Sequence, residues 1–301
     1  MKFVKVKNGN YFIAFDLMTG TKIRKTNEDC FIPEKPESMD IKITNMCHGT
    51  NCFFCHEGSG PCGKHGDIMN AKFLETLLPY TELAIGGGNP LEHPDLIPFL
   101  EKCKELKLVP NMTINQFHFM QDIALVKELV DHKLIYGLGV SLVQPTKEFI
   151  NLVKQFPNAV IHMINGVHKY EDYKKLYDNN LKILILGYKE FRRGNDFYKS
   201  HICRIEEIKS DIYDHLDEIT KHFAVVSFDN LALAQLEVKR LLTEDEWNEF
   251  FMGRDGTHTL FVDLVENTFS TSSTTPINER QKLLDDIKPM FDYVRNHQAT
   301  I

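Results

Sequence analysis

Residues 110–142, PNMTINQFHFMQDIALVKELVDHKLIYGLGVSL, read as one strand–helix–strand unit. Pro110–Asn115 is a short apolar run, Ala124–His132 repeats its apolar residues at helical spacing, and Tyr136–Leu142 is a second run. The alternation extends both ways, with strands expected at Met39–Asn45, Leu83–Gly86, Ala159–Asn165 and Leu181–Leu186. Helices are expected at Asn70–Leu78, Pro94–Leu106, Thr146–Phe156, Lys169–Asn179 and Arg204–His222. Repeated strand-then-helix units of near-constant length, with mostly unalternating apolar strands, imply a parallel sheet covered by helices. Right-handed crossovers without an evident order reversal favour an α/β partial TIM barrel, (β/α)6, over a doubly wound sheet.

The flanks differ. Phe3–Lys7 alternates, Asn8-Gly9-Asn10 is a turn and Tyr11–Phe15 returns, so a β-hairpin is expected, extending through Thr19-Gly20 and followed by a link with Pro33 and Pro36. Beyond the barrel come a short strand at Ala224–Phe228, a helical stretch over about Leu231–Phe251, a hairpin at Thr259–Ser270 and an amphipathic helix at Glu279–His297. The division is then 1–36 as an N-terminal β-hairpin cap, 37–222 as the barrel and 223–301 as a C-terminal α/β extension. Of 301 residues, 35 are basic and 42 acidic, a net charge of −7 that argues against a protein living on phosphate contacts and gives no strong nucleic-acid signal. The charged N-terminus and the lack of a long uncharged apolar run predict neither signal peptide nor membrane span, hence a cytoplasmic protein.

Seven cysteines is an odd count, and Cys47, Cys52 and Cys55 cluster just after the first barrel strand. That is the carboxyl end of the sheet, where such folds assemble their sites. In a reducing compartment the cluster reads as a metal site rather than a disulfide framework. Three thiolates can ligate three irons of a [4Fe–4S] cube and leave the fourth iron open. The alternative is a structural zinc loop or binding module, closed by Cys62, His48, His56 or His65. A second feature needs explaining: the next strand ends in Ala84-Ile85-Gly86-Gly87-Gly88-Asn89-Pro90, whose glycines let a ligand reach bare backbone.

Across roughly Met39 to Gly194 the chain resembles the radical S-adenosylmethionine (radical SAM) enzymes. The family motif Cys-x3-Cys-x2-Cys appears as Cys-x4-Cys-x2-Cys, with Phe54 in the aromatic place before the last cysteine. The family's Gly-Gly-Glu-Pro appears as Gly87-Gly88-Asn89-Pro90, preceded by Gly86; Asn89 keeps an acceptor but loses the negative charge. The resemblance implies a [4Fe–4S] cluster on Cys47, Cys52 and Cys55. It also implies S-adenosylmethionine (SAM) bound by Phe54, Gly86, Gly87, Gly88 and Asn89, with Asn115, Ser141, Asn165 and the Gly187–Tyr188 backbone as further contacts. It implies reductive cleavage of SAM to a 5′-deoxyadenosyl radical that takes hydrogen from a substrate, and an electron donor such as flavodoxin or ferredoxin. The C-terminal extension is faintly similar to that of SPASM or twitch-type members without its cysteines, which favours a peptide substrate.

Other residues have plainer readings. Cys103 shares a helical face with Leu96, Phe99, Leu100 and Leu106 and is expected in the core. Cys30 and Cys203 receive no role. Arg192-Arg193-Gly194 is a solvated loop or an anion site, and Asp229, Asp255 and His258 form a polar cap or face substrate.

Overall fold

The computed structural model describes residues 3–50 and 52–297. It opens with β1 (Phe3–Asn8), β2 (Tyr11–Asp16) and β3 (Lys22–Lys25). These form an antiparallel sheet of three strands, so the expected hairpin gains a third strand beyond Gly20, whose φ is +76°. Its inner face makes a small core of Tyr11, Ile13 and Phe15 with Val109. The Tyr11 hydroxyl and the Arg24 guanidinium both donate to the buried Glu37 carboxylate, at 2.5 and 2.8 Å.

The main sheet follows with β4 (Ser38–Thr44), β5 (Glu82–Gly87), α1 (Leu96–Glu105) and β6 (Val109–Asn115), then α2 (Gln116–Gln121), α3 (Ile123–Asp131) and β7 (Gly137–Ser141). It continues through α4 (Lys147–Val153), β8 (Ala159–Ile164), α5 (Tyr170–Lys174), β9 (Lys182–Leu186), α6 (Arg193–Thr220) and β10 (Val225–Phe228). Last come α7 (Asn230–Gln235), α8 (Glu244–Phe250), β11 (Thr259–Asp263), β12 (Thr268–Ser270), β13 (Gln281–Lys282) and α9 (Ile287–Asn296). The strand order is β10-β9-β8-β7-β6-β5-β4-β11-β12-β13. β4 through β10 are parallel in sequence order, the arrangement expected of a partial TIM barrel, and the described strands do not close into a ring. β11 pairs parallel with β4, so the C-terminal hairpin extends this same sheet.

Several expectations change. Asn70–Leu78 is only a 3-10 turn at Lys72–Thr76, where the Thr76 hydroxyl donates back to the Phe73 carbonyl and Pro79 follows. α2 lies before the predicted helix, and α6 starts eleven residues earlier than Arg204, with a kink at His201 (φ −134°). The first turns of α6, RGNDFYKSH, lack apolar periodicity and are held by contacts to the cysteine loop described below. The stretch 231–251 breaks at Glu237, in the left-handed region at φ 47°, and α9 begins only at Ile287, capped by the Asp286 carboxylate.

The strands also alternate more than their sequences suggested. Met39, Ile41 and Ile43 of β4, Leu83 and Ile85 of β5, and Met112 and Ile114 of β6 are buried toward the helices. Leu138 and Val140 of β7 and Ile161 and Met163 of β8 do the same. Their neighbours Asp40, Lys42, Thr113, Asn115, Ser141 and His162 line a cavity on the other face. Cys103 is fully buried in the helix-side core, as expected.

Candidate active site

The cysteine loop leaves β4 and turns back onto it. Cys47 N–H donates to the Gly60 carbonyl at 3.0 Å, Gly60 N–H to the Asn45 carbonyl at 3.1 Å, and Cys55 N–H to the Cys52 carbonyl at 3.1 Å. The glycine run holds this loop against β5: Gly88 N–H donates to the Thr44 carbonyl and Asn89 N–H to the Met46 carbonyl, both at 2.7 Å. A Cβ on Gly87, whose φ is +114°, would stand 2.1 Å from the Thr44 oxygen, and one on Gly88 2.1 Å from the Met46 oxygen. Two of the three glycines are therefore required by the approach of the loop itself. Gly86 is different, since a Cβ there meets nothing within 4 Å. Its missing side chain leaves room in the cavity.

That cavity, about 430 Å³, is lined by all three loop thiols and by Phe54, Gly86, Gly87, Gly88, Asn115, Ser141 and Tyr188. The remaining two predicted contacts lie elsewhere. Asn89 is buried, accepts from Leu91 N–H at 3.3 Å, donates to Glu92 at 3.0 Å, and borders a separate outer groove. Asn165 is fully buried, and its amide donates to Gln235 at 3.3 Å. The polar groups of Tyr188 are also engaged. Its N–H and C=O pair with the Gln235 side chain at 2.9 and 3.0 Å, and its hydroxyl donates to the Gly194 carbonyl at 2.8 Å. Only its aromatic surface is left for a ligand.

Sequence reasoning passed over most charged groups of the wall: Asp40, Lys42, Glu57, His162 and Lys189 line the cavity, together with His56 and Arg193, which the sequence had offered only as a zinc ligand and an anion site. Strict alternation along β4 and β8 would have found Asp40, Lys42 and His162. The Lys42 ammonium, 2% exposed, lies 2.9 Å from Glu57 and 3.2 Å from Asp263, and Asp263 pairs with Arg280 at 3.1 Å. Burial alone would raise the Glu57 carboxyl, but His56 and Lys42 beside it outweigh that and hold it below the usual carboxylate range. Desolvation by the surrounding wall pushes Asp40 up to about 6 against the pull of Lys189, with Asp255, Asp229 and Glu57 adding repulsion, although the side chain still meets solvent in the open lumen. Burial and Lys189 push His162 down to about 4, so its imidazole is neutral at pH 7. Gly139 makes room for that ring, since a Cβ there would lie 2.6 Å from Nε2. The arginines at the start of α6 are tied to the cysteine loop. Arg193 donates to the Cys52 and Ser59 carbonyls at 3.2 and 2.7 Å, while Arg192 donates to the Glu57 carbonyl.

Among the described residues, no three His, Cys, Asp or Glu side chains converge tightly enough to hold a single metal ion. The side chains that would close a zinc site are hydrogen-bonded elsewhere or exposed. His48 pairs with Glu92 at 2.6 Å, His56 with Glu57 at 3.3 Å and His65 with Thr44 at 3.0 Å, while Cys62 is exposed. Three half-buried thiols spread around one cavity suit a group whose several irons each take one ligand. Two of them also face side-chain nitrogens: Asn115 Nδ2 stands 3.8 Å from Cys52 Sγ, and His118 Nε2 3.5 Å from Cys47 Sγ. The donor set thus fits an iron–sulfur cluster better than a lone ion. No helix among the described residues is long and apolar enough to cross a membrane.

No protein-family model matches the chain, and no curated protein matches it in sequence. Solved structures do. Streptococcus suis SuiB bound to precursor peptide SuiA matches with a TM-score of 0.59 at 18% identity, covering 90% of this chain and 68% of that one. SuiB bound to S-adenosylmethionine matches with a TM-score of 0.55 at 17% identity, over 88% of this chain and 66% of that one, so this chain spans about two thirds of SuiB there. SuiB alone matches with a TM-score of 0.59 at 13% identity, covering 98% and 87%. The partial-barrel architecture of this chain is that of Streptococcus suis SuiB.

Proposed function

We propose that this chain is a radical SAM enzyme. In this reading Cys47, Cys52 and Cys55 hold a [4Fe–4S] cluster, and SAM lies in the lumen beside Gly86. The observation that carries it is that three thiols and an unobstructed glycine line one cavity at the carboxyl end of a parallel sheet. When bound, cluster and SAM supply a one-electron reductive cleavage that yields a 5′-deoxyadenosyl radical. The chain's own part is positioning and exclusion of water. Arg193, through the Cys52 and Ser59 carbonyls, and Gly87 and Gly88, through the backbone at Thr44 and Met46, hold the loop in one shape. Ser141 and Thr113 offer hydroxyls to the ligand, Phe54 and Tyr188 offer aromatic surface, and Leu184, Leu186, Ile164 and Phe261 give apolar walls from which a bound ligand displaces water.

Residues 37–222 carry the cofactor machinery in this reading, and 223–301 complete the wall through Asp229, Phe261 and Ser273. A peptide substrate is favoured, supported by the likeness to a protein solved with a precursor peptide. The partner is a one-electron donor of the flavodoxin or ferredoxin kind. Reconstitution with iron and sulfide, then dithionite and SAM, should give a brown protein that releases 5′-deoxyadenosine. Cys47→Ala, Cys52→Ala and Cys55→Ala should each abolish release. A colourless protein holding one zinc, or release that persists in all three variants, overturns the reading.

A further inference from the structure

We propose that His118 donates its Nε2–H to the sulfur of Cys47 and thereby raises the reduction potential of the cluster; the proposal rests on the reading just given. The short helix α2 is a clamp on the cysteine loop. Asn115 caps it, its Oδ1 accepting from Phe117 N–H at 2.9 Å, which turns its amide nitrogen toward Cys52 Sγ. The Phe117 ring lies against Gly49, where φ is +74° and a Cβ would meet the ring at 2.7 Å. One residue on, His118 is 3% exposed with Nε2 at 3.5 Å from Cys47 Sγ, and no other side-chain hydrogen bond is made by its ring among the described residues.

A metal-bound thiolate has no proton to give, so the nitrogen facing it must carry the hydrogen. An N–H donated to a ligating sulfur draws off negative charge, favours the reduced state and so moves the potential upward. The donors are unevenly shared. Cys47 faces His118 and the Thr50 hydroxyl at 3.1 Å, Cys52 faces Asn115, and no side-chain donor faces Cys55 among the described residues. The clamp therefore acts on the Cys47 and Cys52 side of the cluster.

The test is redox titration of reconstituted wild type, His118→Leu and His118→Gln, followed by electron paramagnetic resonance. With full iron and sulfide content, His118→Leu should show a reduced-to-oxidised ratio about tenfold lower at a given applied potential, or about 59 mV for one electron. His118→Gln, which keeps an N–H, should recover most of the shift. An unchanged potential in His118→Leu, with cluster content intact, overturns the inference and leaves the cluster reading standing. Failure of wild type to assemble a cluster overturns that reading first. Should His118→Leu lose its cluster, wild type labelled with 15N-histidine decides: pulsed resonance on the reduced cluster should resolve a histidine nitrogen coupling and an exchangeable proton, and their absence refutes the bond.

Discussion

Along β4, Met39 and Ile43 turn toward the helices and are sealed, whereas Asp40 and Lys42 turn toward the lumen. β6, β7 and β8 repeat the division, with Met112, Val140 and Met163 on one side and Thr113, Ser141 and His162 on the other. Each strand thus gives one parity to cohesion and the other to chemistry. The helix side is packed, so its residues are chosen by volume. The lumen side is left open and polar, a cost that a sheet serving only stability would avoid.

Substitutions on opposite parities should therefore fail in opposite ways. The largest effect is expected from Ile43→Ala, which should cost about 2–5 kcal/mol in denaturant unfolding through lost burial and a residual cavity. Ser141→Ala should stay within about 0.5 kcal/mol of wild type, while SAM binding to the reconstituted protein weakens. Equal destabilisation by the two would break the distinction. The glycines sharpen it further. Gly87→Ala meets a carbonyl oxygen at a left-handed φ and should lose about 1–3 kcal/mol of stability from backbone strain alone. Gly86→Ala enters empty space, so its melting temperature should hold while SAM affinity falls about tenfold, or about 1.4 kcal/mol. Unchanged affinity in Gly86→Ala would place SAM away from the glycine run.

These contrasts also explain what the sequence disclosed. The order of strands, the position of the cysteines and the Gly86–Gly88 run were legible because each is a local pattern: an apolar run, a spacing, a strand end. The lumen charges were not, because Asp40 and Lys42 interrupt an apolar strand in a way that also suits a partly solvated sheet. The helix α2 was missed because Gln116–Gln121 has no apolar period of its own; Asn115 starts it by capping and the cysteine loop covers it. Asn89 was assigned by motif position, yet its side chain serves the 3-10 turn at Pro90–Glu92. The first turns of α6 are likewise specified by partners distant in sequence, Glu57, Cys52 and Ser59.

The smallest expected effect concerns pH, and it tests whether the lumen-facing parity lowers stability at neutrality. Asp40 still meets solvent in the open lumen, yet the desolvation imposed by the surrounding wall holds it at about 6 in the folded chain, against about 3.9 when unfolded. Between those values the folded state binds more protons than the unfolded one, so stability falls as pH rises from about 4 to about 6 and stays lowered above it. Lys189 opposes the shift, Asp255 and Glu57 add to it, and burial raises Asp229 in the same sense. Asp40→Asn should therefore reduce the slope rather than remove it. Above pH 6 it should gain about 1 kcal/mol, a figure kept small because the open lumen admits water that screens the charge. Denaturant midpoints at pH 4.5 and 7.5 measure this directly. If wild type and Asp40→Asn change in parallel between the two, the unfavourable charge lies elsewhere, and Asp40 belongs with the residues that the fold carries without cost.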